Sequence, residues 1–299
     1  MMTTTDFVLA ADIGGSHITA ALVDITSRQL ILPSLVRNPV DANGTANEII
    51  ASWSKCLLAA KNDVDILKIC LAMPGPFDYD KGISGMQGQG KYDALYKSNI
   101  KELLAGALNT EAGQVFAEND AACFLQGEVF AGCATGGFTK VIGITLGTGL
   151  GTAVYEAGRS HSADLWSAPF RESIAEDYLA TRWFVQRYSE LSGKTISGVK
   201  ALAGLAESDP YAKAIFLEFG KNLAHFLFHF IEKEAPEAVV IGGNIANAYQ
   251  FFQHELEETI AQKFPSVVIK KSLLGEESAL LGAAGSWHSA AQRSVSVSP

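Results

Sequence analysis

Asp12-Ile-Gly-Gly-Ser-His17 and Thr145-Leu-Gly-Thr-Gly-Leu-Gly151 are two glycine loops set roughly half a chain apart, each between two β-prone runs. Residues 7–11 and 18–23 flank the first; residues 141–144 and 152–155 flank the second. The pattern each time is strand, tight glycine turn, strand. Turns of this kind bring backbone N–H groups close to an anion. Two facing each other would hold a polyphosphate between two halves of one molecule. Neither carries the spacing or the lysine of a P-loop, and neither opens a helix as a dinucleotide-binding loop does. Either loop alone is equally compatible with an ordinary hairpin turn.

Outward from the loops, strands and helices alternate, which predicts α/β layers. The first half reads as the hairpin, a third strand over 30–36, a helix over 46–60, a strand over 67–72 and a glycine-rich irregular stretch over 75–90. A helix over 99–108, a strand from Val115 and a helix from Asn119 or Asp120 to about Ala131 complete it. The second half repeats the hairpin and continues with long helices over 172–191 and 211–233. A strand over 238–241, a Gly-Gly turn, a helix over 246–262, a strand over 267–269 and a helix over 276–290 come next. Opening both halves on the same hairpin suggests a duplication with a cleft between the halves. The joint is expected within residues 118–136, drawn after Ala122, with the last helix packing back on the first domain.

Composition narrows the function. The 299 residues are 48% hydrophobic and 18% charged, as in a globular chain with ample core. A net charge of −9 with no Lys/Arg run argues against a nucleic-acid partner. Residues 1–6 lack the regions of a signal peptide, and the most apolar stretch, 214–231, is broken by Glu218, Lys221, Asn222 and His225. No membrane association is expected. Scattered Cys56, Cys70, Cys123 and Cys133 read as reduced thiols of a cytoplasmic protein. His225 and His229, i and i+4 among phenylalanines, read as part of a core or interface helix. Residues 294–299 read as a frayed end.

The chemistry concentrates in few residues. Gly14, Gly15 and Ser16, with Gly147, Thr148 and Gly149, offer amide and hydroxyl donors to phosphate without a fixed cation. Charge neutralisation then falls to a metal, usually Mg²⁺, with Asp12 at the end of the first strand to hold it through water. His17 is a phosphate contact or an exposed strand residue. Asn119 and Asp120 lie at a strand-to-helix transition, where either residue also serves as a cap. A carboxylate there can take a proton from a substrate hydroxyl while Asn119 fixes the neighbouring groups, an assistance worth about 10²–10⁴ in rate.

Five ordered blocks extend these readings: Ala11-Asp-Ile-Gly-Gly-Ser16; Met73-Pro-Gly-Pro-Phe-Asp78 with Gly88-Gln-Gly90; Glu118-Asn-Asp-Ala-Ala122; Leu146-Gly-Thr-Gly-Leu-Gly151; and Val240-Ile-Gly-Gly-Asn244. With these the chain resembles the ROK sugar kinases, glucokinase-like members of the actin, Hsp70 and hexokinase superfamily. The resemblance implies two ribonuclease-H-like domains flanking a cleft, with ATP and Mg²⁺ as cofactors and a free sugar as substrate. It makes Asp12 the Mg²⁺-associated aspartate and residues 147–151 the second phosphate loop. Gly242, Gly243 and Asn244 become the adenosine motif, Asn119 a sugar ligand and Asp120 the catalytic base. Gly75, Gly88 and Gly90 lie in loops that would shape the sugar pocket, though each also meets an ordinary turn requirement. A homodimer is the expected assembly.

The departures from the family concern the sugar side. The family's Glu-x-Gly-His and its zinc-binding cysteine cluster are not found in residues 159–172, so no structural zinc of that kind is expected. His161 and Asp164 are the candidates to replace parts of the missing motif. Glu172 fits the glutamate beyond the cluster, at a helix start where a carboxylate is also favourable for the helix itself. The reading is an ATP-dependent kinase of a free hexose that closes its domains to exclude water. The alternatives are a sugar-binding regulator, for which the segment before Asp12 leaves no room for a DNA-binding helix pair, and an ATPase switch of the same superfamily.

Overall fold

The computed structural model describes residues 6–88 and 90–296. The chain divides into two compact units, Met1–Ala131 with Glu277–Pro299, and Gly132–Glu276.

In the first unit, β1 (Phe7–Ile13) and β2 (His17–Asp24) form an antiparallel hairpin across the first glycine loop, with Ile13 opposite Ile18. The third strand expected over 30–36 is two short strands, β3 (Gln29–Leu30) and β4 (Val36–Pro39), both on β2. Pro33 separates them: it donates no N–H, and a 3-10 turn at Leu32–Ser34 surrounds it. Helix α1 (Ala46–Lys61) starts on a capping box between Thr45 and Glu48. Strand β5 (Ile69–Met73) then runs parallel to β1. The stretch expected to be irregular contains a small hairpin, β6 (Phe77–Asp78) with β7 (Ile83–Ser84). Helix α2 (Ile100–Leu108) is capped by Asn99, β8 (Val115–Asn119) lies parallel to β5, and α3 (Asp120–Phe130) starts at once.

The second unit repeats the plan. Strands β9 (Lys140–Leu146) and β10 (Leu150–Glu156) flank the second glycine loop, and β11 (Arg159–Ser162) pairs with β10. A short hairpin, β12 (Pro169–Phe170) with β13 (Ser173–Ile174), leads to α4 (Ala175–Leu179) and α5 (Thr181–Ser192). Helices α6 (Val199–Ala203) and α7 (Pro210–Glu234) precede β14 (Ala238–Gly242). The helix expected over 246–262 begins as a 3-10 segment, Asn244–Phe251, and continues as α8 (Gln253–Lys263) before β15 (Val268–Lys271). The sheets read β3-β2-β1-β5-β8 and β11-β10-β9-β14-β15. Each has three antiparallel strands followed by two parallel ones.

The burial pattern explains the layers. Ile-Cys-Leu-Ala-Met of β5 and Ala-Val-Val-Ile-Gly of β14 are buried throughout, as central parallel strands covered on both faces must be. Along β1, Leu9, Ala11 and Ile13 join the core that holds Trp53 and Leu57 of α1. Strand alternation puts Val8, Ala10 and Asp12 on the other face. In the second unit Phe184, Phe216, Phe219 and Phe252 form an aromatic stack, with Phe184 and Phe219 centroids 4.5 Å apart. Helix α7 buries Phe219, Leu223, Phe226 and Phe230 and leaves His225 and His229 exposed, so the two histidines are not core residues. Among the described residues, no helix is long and apolar enough to cross a membrane.

The last helix, α9 (Ser278–Ser296), belongs to the first unit and packs along α3, β1 and β5. The division of the chain falls after Ala131 rather than after Ala122, because α3 is one continuous helix seated on α9. The end expected to fray falls where the description of the chain stops: α9 is described to Ser296, and 297–299 lie outside the described residues, as do the first five. The α3–α9 crossing depends on glycine. A Cβ on Gly282 would lie 1.6 Å from the Cys123 carbonyl oxygen, and one on Gly127 would lie 2.1 Å from that of Ser278. The Ser278 hydroxyl donates to buried Glu128 at 3.0 Å. Gly282→Ala should therefore cost several kcal/mol by forcing the helices apart. Gly106→Ala, at a site in α2 with no atom within 4 Å of the new methyl, should be neutral or stabilise by about 0.5 kcal/mol. Urea titrations of the two variants check both; equal stability would contradict the packing described.

Candidate active site

The parallel register of the first unit sets the site. Asp12 stands beside Ala72, Ala72 beside Glu118, and Met73 beside Asn119. The carboxyl ends of β1, β5 and β8 are thus level, and the segments that leave these strands meet at one edge: the first glycine loop, Pro74-Gly75, and Asp120. Ligands of open α/β sheets bind beyond this end of the strands.

Asn119 caps α3. Its Oδ1 accepts the Ala122 N–H at 3.1 Å, while its Nδ2 donates to the Tyr79 hydroxyl at 3.1 Å. That hydroxyl donates to the Met73 carbonyl at 3.0 Å. The cap and a side-chain network coexist in one residue, and the second Nδ2 proton is the one a ligand could accept. Gly75 belongs to the same corner, since a Cβ there would stand 3.6 Å from the Tyr79 hydroxyl. Asp120 is half-buried and its Oδ1 accepts the Ala121 N–H at 2.8 Å. Burial raises its carboxyl above the ordinary aspartate range. The Ala121 N–H, the Lys91 charge and the Asn119 side chain pull it back without cancelling that effect.

In the first loop the Gly14 N–H donates to the His17 carbonyl at 2.9 Å, and Ser16 Oγ lies 2.8 Å from His17 Nδ1. Gly15, Ser16 and His17 are exposed. The loop is held from behind by Tyr92, which is fully buried and donates its phenol to the Gly14 carbonyl. Burial, reinforced by the Asp12 charge, pushes that phenol up to about 12. Gly88 and Gly90, both exposed and left-handed, flank Gln89, which lies outside the described residues, and lead into Lys91.

In the second unit, Leu146 faces Leu150 across the loop, and the Gly147 N–H donates to the Gly149 carbonyl at 3.0 Å. Two side chains from the next helices fasten it. Thr181 donates its N–H at 2.8 Å and its hydroxyl at 2.9 Å to the Gly147 carbonyl. Glu176 Oε2 accepts the Leu150 N–H at 2.9 Å, and Glu176 Oε1 is held by Arg182 at 3.1 Å. Gly242 pairs with Thr145 in parallel register, so the Gly-Gly turn comes up against the loop. Gly243 is left-handed, with φ of 82°, and a Cβ there would lie 2.4 Å from the Leu146 carbonyl oxygen. Exposed Thr148 and Asn244 complete this edge.

Two expectations are corrected. Glu172 does not start a helix: it is exposed in the β12–β13 turn, and the helix begins at Ala175. The first-turn carboxylates are Glu176 and Asp177. The long helix expected over 172–191 is broken at Ala180, whose extended backbone lets Thr181 reach the loop. Arg171, beside Glu172, secures the turn by donating to buried Asn222 and lying over the Phe170 and Tyr178 rings. His161 is exposed on edge strand β11, opposite Val154. Asp164 accepts the Ser162 hydroxyl at 2.7 Å.

The sequence reading passed over Tyr79, Lys91, Tyr92, Glu176 and Thr181. Most act on the backbone of distant loops, which no spacing announces. Lys91 did carry a signal, a cation directly after Gly88-Gln-Gly90. For a metal, no group of three His, Cys, Asp or Glu side chains stands together among the described residues. One carboxylate, Asp12, at the foot of a phosphate-type loop fits an Mg²⁺ that would take its other ligands from phosphate and water.

The family model of the ROK family matches residues 8–163 and 171–290. An N-acetyl-D-glucosamine kinase of Mannheimia succiniciproducens is 22% identical, over 91% of this chain and 96% of that protein. A glucokinase of Thermotoga maritima is 24% identical, over 93% and 96%. Among solved structures, a ROK family glucokinase from Streptomyces griseus in complex with glucose and AMPPNP superposes with a TM-score of 0.74 at 20% identity, covering 93% of this chain and 98% of that one. The fold is that of the actin-like ATPases, and the chain belongs to the ROK family.

Proposed function

We propose that this chain is an ATP-dependent sugar kinase acting on a hydroxyl of a free hexose, in the manner of a glucokinase, with Asp120 as general base. The observation that carries the reading is the meeting, at one sheet edge, of a half-buried carboxylate held above its ordinary pKa, a buried asparagine and a glycine loop with Asp12 at its foot. A base whose pKa is raised toward the working pH is the better proton acceptor. The sugar kinases among the relatives, and the glucose and AMPPNP of the Streptomyces griseus structure, support the same chemistry.

In this reading Asp120 accepts the proton of the sugar hydroxyl as its oxygen bonds to the γ-phosphorus of ATP. The bond from that phosphorus to the bridging oxygen breaks, and ADP leaves. Asn119 orients the sugar through its Nδ2, and Gly75, Gly88 and Gly90 leave room for the ring. Gly14, Gly15, Ser16 and His17 in the first unit, and Gly147, Thr148 and Gly149 in the second, offer donors to the phosphate chain. Gly242, Gly243 and Asn244 let the adenosine lie against the backbone. Mg²⁺, held by Asp12 and the phosphates, would neutralise charge on the transferring group. The expected setting is the cytoplasm.

A panel of hexoses and N-acetylhexosamines with MgATP, read by ADP release, tests the proposal. Release stimulated by a hexose is expected; release indifferent to sugar would favour an ATPase switch. Asp120→Asn should lower kcat by about 10² or more with sugar affinity largely kept. The kcat of the wild type should fall as pH drops through the raised Asp120 pKa, because the base must be ionised. The same variant should melt at a higher temperature at pH 7. A carboxyl whose folded pKa is raised costs stability as pH rises from its unfolded value, near 3.8, to its folded one, and the cost persists above. The gain should vanish below about pH 4; a lower melting temperature at pH 7 would contradict it. Asp12→Asn should abolish turnover and weaken its Mg²⁺ dependence, and an unchanged Mg²⁺ titration would argue against its role.

A further inference from the structure

We propose that Lys91 is the fixed cation of the first glycine loop, its ammonium facing the phosphoryl group in transfer while its charge also serves Asp120. The assignment rests on the kinase reading above and adds a catalytic residue to it. Lys91 is placed by the residue after it. Tyr92 is left-handed, with φ of 60°, and donates its N–H to the Ala42 carbonyl at 2.7 Å. Its phenol donates to the Gly14 carbonyl, and its ring meets Trp53 edge-on at 5.1 Å. The backbone at 91 is therefore anchored, through its neighbour, to the Gly14 carbonyl, to the Ala42 carbonyl and to the core.

The side chain then runs over the loop. Lys91 is half-buried, and its Cδ would stand 3.6 Å from a Cβ on Gly15, so the methylene chain lies along the bare glycine. From there the ammonium acts on Asp120. One side chain thus touches the phosphate-type loop and carries a charge whose field favours the ionised form of the proposed base.

The local charges show why a cation is needed. Glu118 and Asp12 share this end of the sheet with Asp120 and repel its charge, whereas Tyr79 and Cys123, kept protonated by burial, add none. The loop itself offers only neutral donors, Gly14, Gly15 and Ser16, with His17 beside them. A polyanionic phosphate chain brought against Asp12 and Asp120 meets like charge. A lysine behaves as a compact point charge suited to phosphate oxygens. At this place it lowers the cost of charge on the transferring group and favours the ionised base.

The test compares wild type, Lys91→Met and Lys91→Arg in three measurements. Calorimetry without sugar should show MgATP binding weakened about tenfold in Lys91→Met, with MgADP binding nearly unchanged, because the lost contact is to the terminal phosphate. Turnover with the preferred hexose should fall by about 10²–10³ at similar sugar KM, with partial recovery in Lys91→Arg. The acidic limb of kcat should move to higher pH in Lys91→Met, as Asp120 loses its cation. Turnover of Lys91→Met within about twofold of wild type would overturn the proposal and leave the kinase reading intact. Equal losses of MgATP and MgADP with an unmoved acidic limb would also overturn it, as the mark of a packing role. A wild type without sugar-dependent turnover, alongside a Lys91→Met that loses MgATP selectively, would sink the sugar-kinase reading and uphold the Lys91 phosphate contact.

Discussion

Three parallel strands kept in register, β1, β5 and β8, are the constraint on which the first unit's chemistry depends. Asp12 beside Ala72 and Met73 beside Asn119 mean that three chain segments leave the sheet at one level. Each departure supplies a different group: a loop of exposed amides, a glycine beside the Tyr79 hydroxyl, and a carboxylate at the start of α3. The apolar runs that make these strands are the reason the polar groups can be held so closely. A sheet buried on both faces has no freedom to slip, because a slip of one residue would turn every side chain to the wrong face.

Each glycine loop gains a support that its own residues do not supply. Tyr92 holds the first from behind through the Gly14 carbonyl. Thr181 and Glu176 hold the second through the Gly147 carbonyl and the Leu150 N–H. A loop that presents donors to a charged ligand is useful when it is already in place, since ordering it during the reaction would cost free energy. In the role proposed for Asp120, the same logic accounts for the discomfort of its carboxyl. Burial opposes its ionisation, and the neighbouring donors and Lys91 offset only part of that opposition. Functional carboxylates commonly carry such a stability penalty.

Legibility in the sequence followed the range of the forces. The two hairpins, the buried strands β5 and β14, the starts of α1, α2 and α3, and the long α7 were all readable, because each depends on neighbours a few residues away. Asn119 and Asp120 were readable for the same reason, since a strand-to-helix junction is a local event. Pro33 was visible, yet its effect on the third strand was missed because the β-prone residues on either side outweighed it. The break at Ala180 could not be read, for its cause is a carbonyl more than thirty residues earlier. Glu172 was misplaced by a few residues, with the helix-start position belonging to Glu176. Lys91 and Tyr92 escaped because their meaning lies in which loop they touch.

The central claim is that a sugar oxygen, relieved of its proton by Asp120, receives the terminal phosphoryl group of ATP. Phosphorus-31 NMR of the protein with MgATP and its best hexose follows that group directly. The account predicts a growing sugar-phosphate resonance that matches the decline of the γ-phosphate, with little inorganic phosphate, and its near-disappearance in Asp120→Asn. Inorganic phosphate as the only new resonance, in amounts indifferent to sugar, would contradict it.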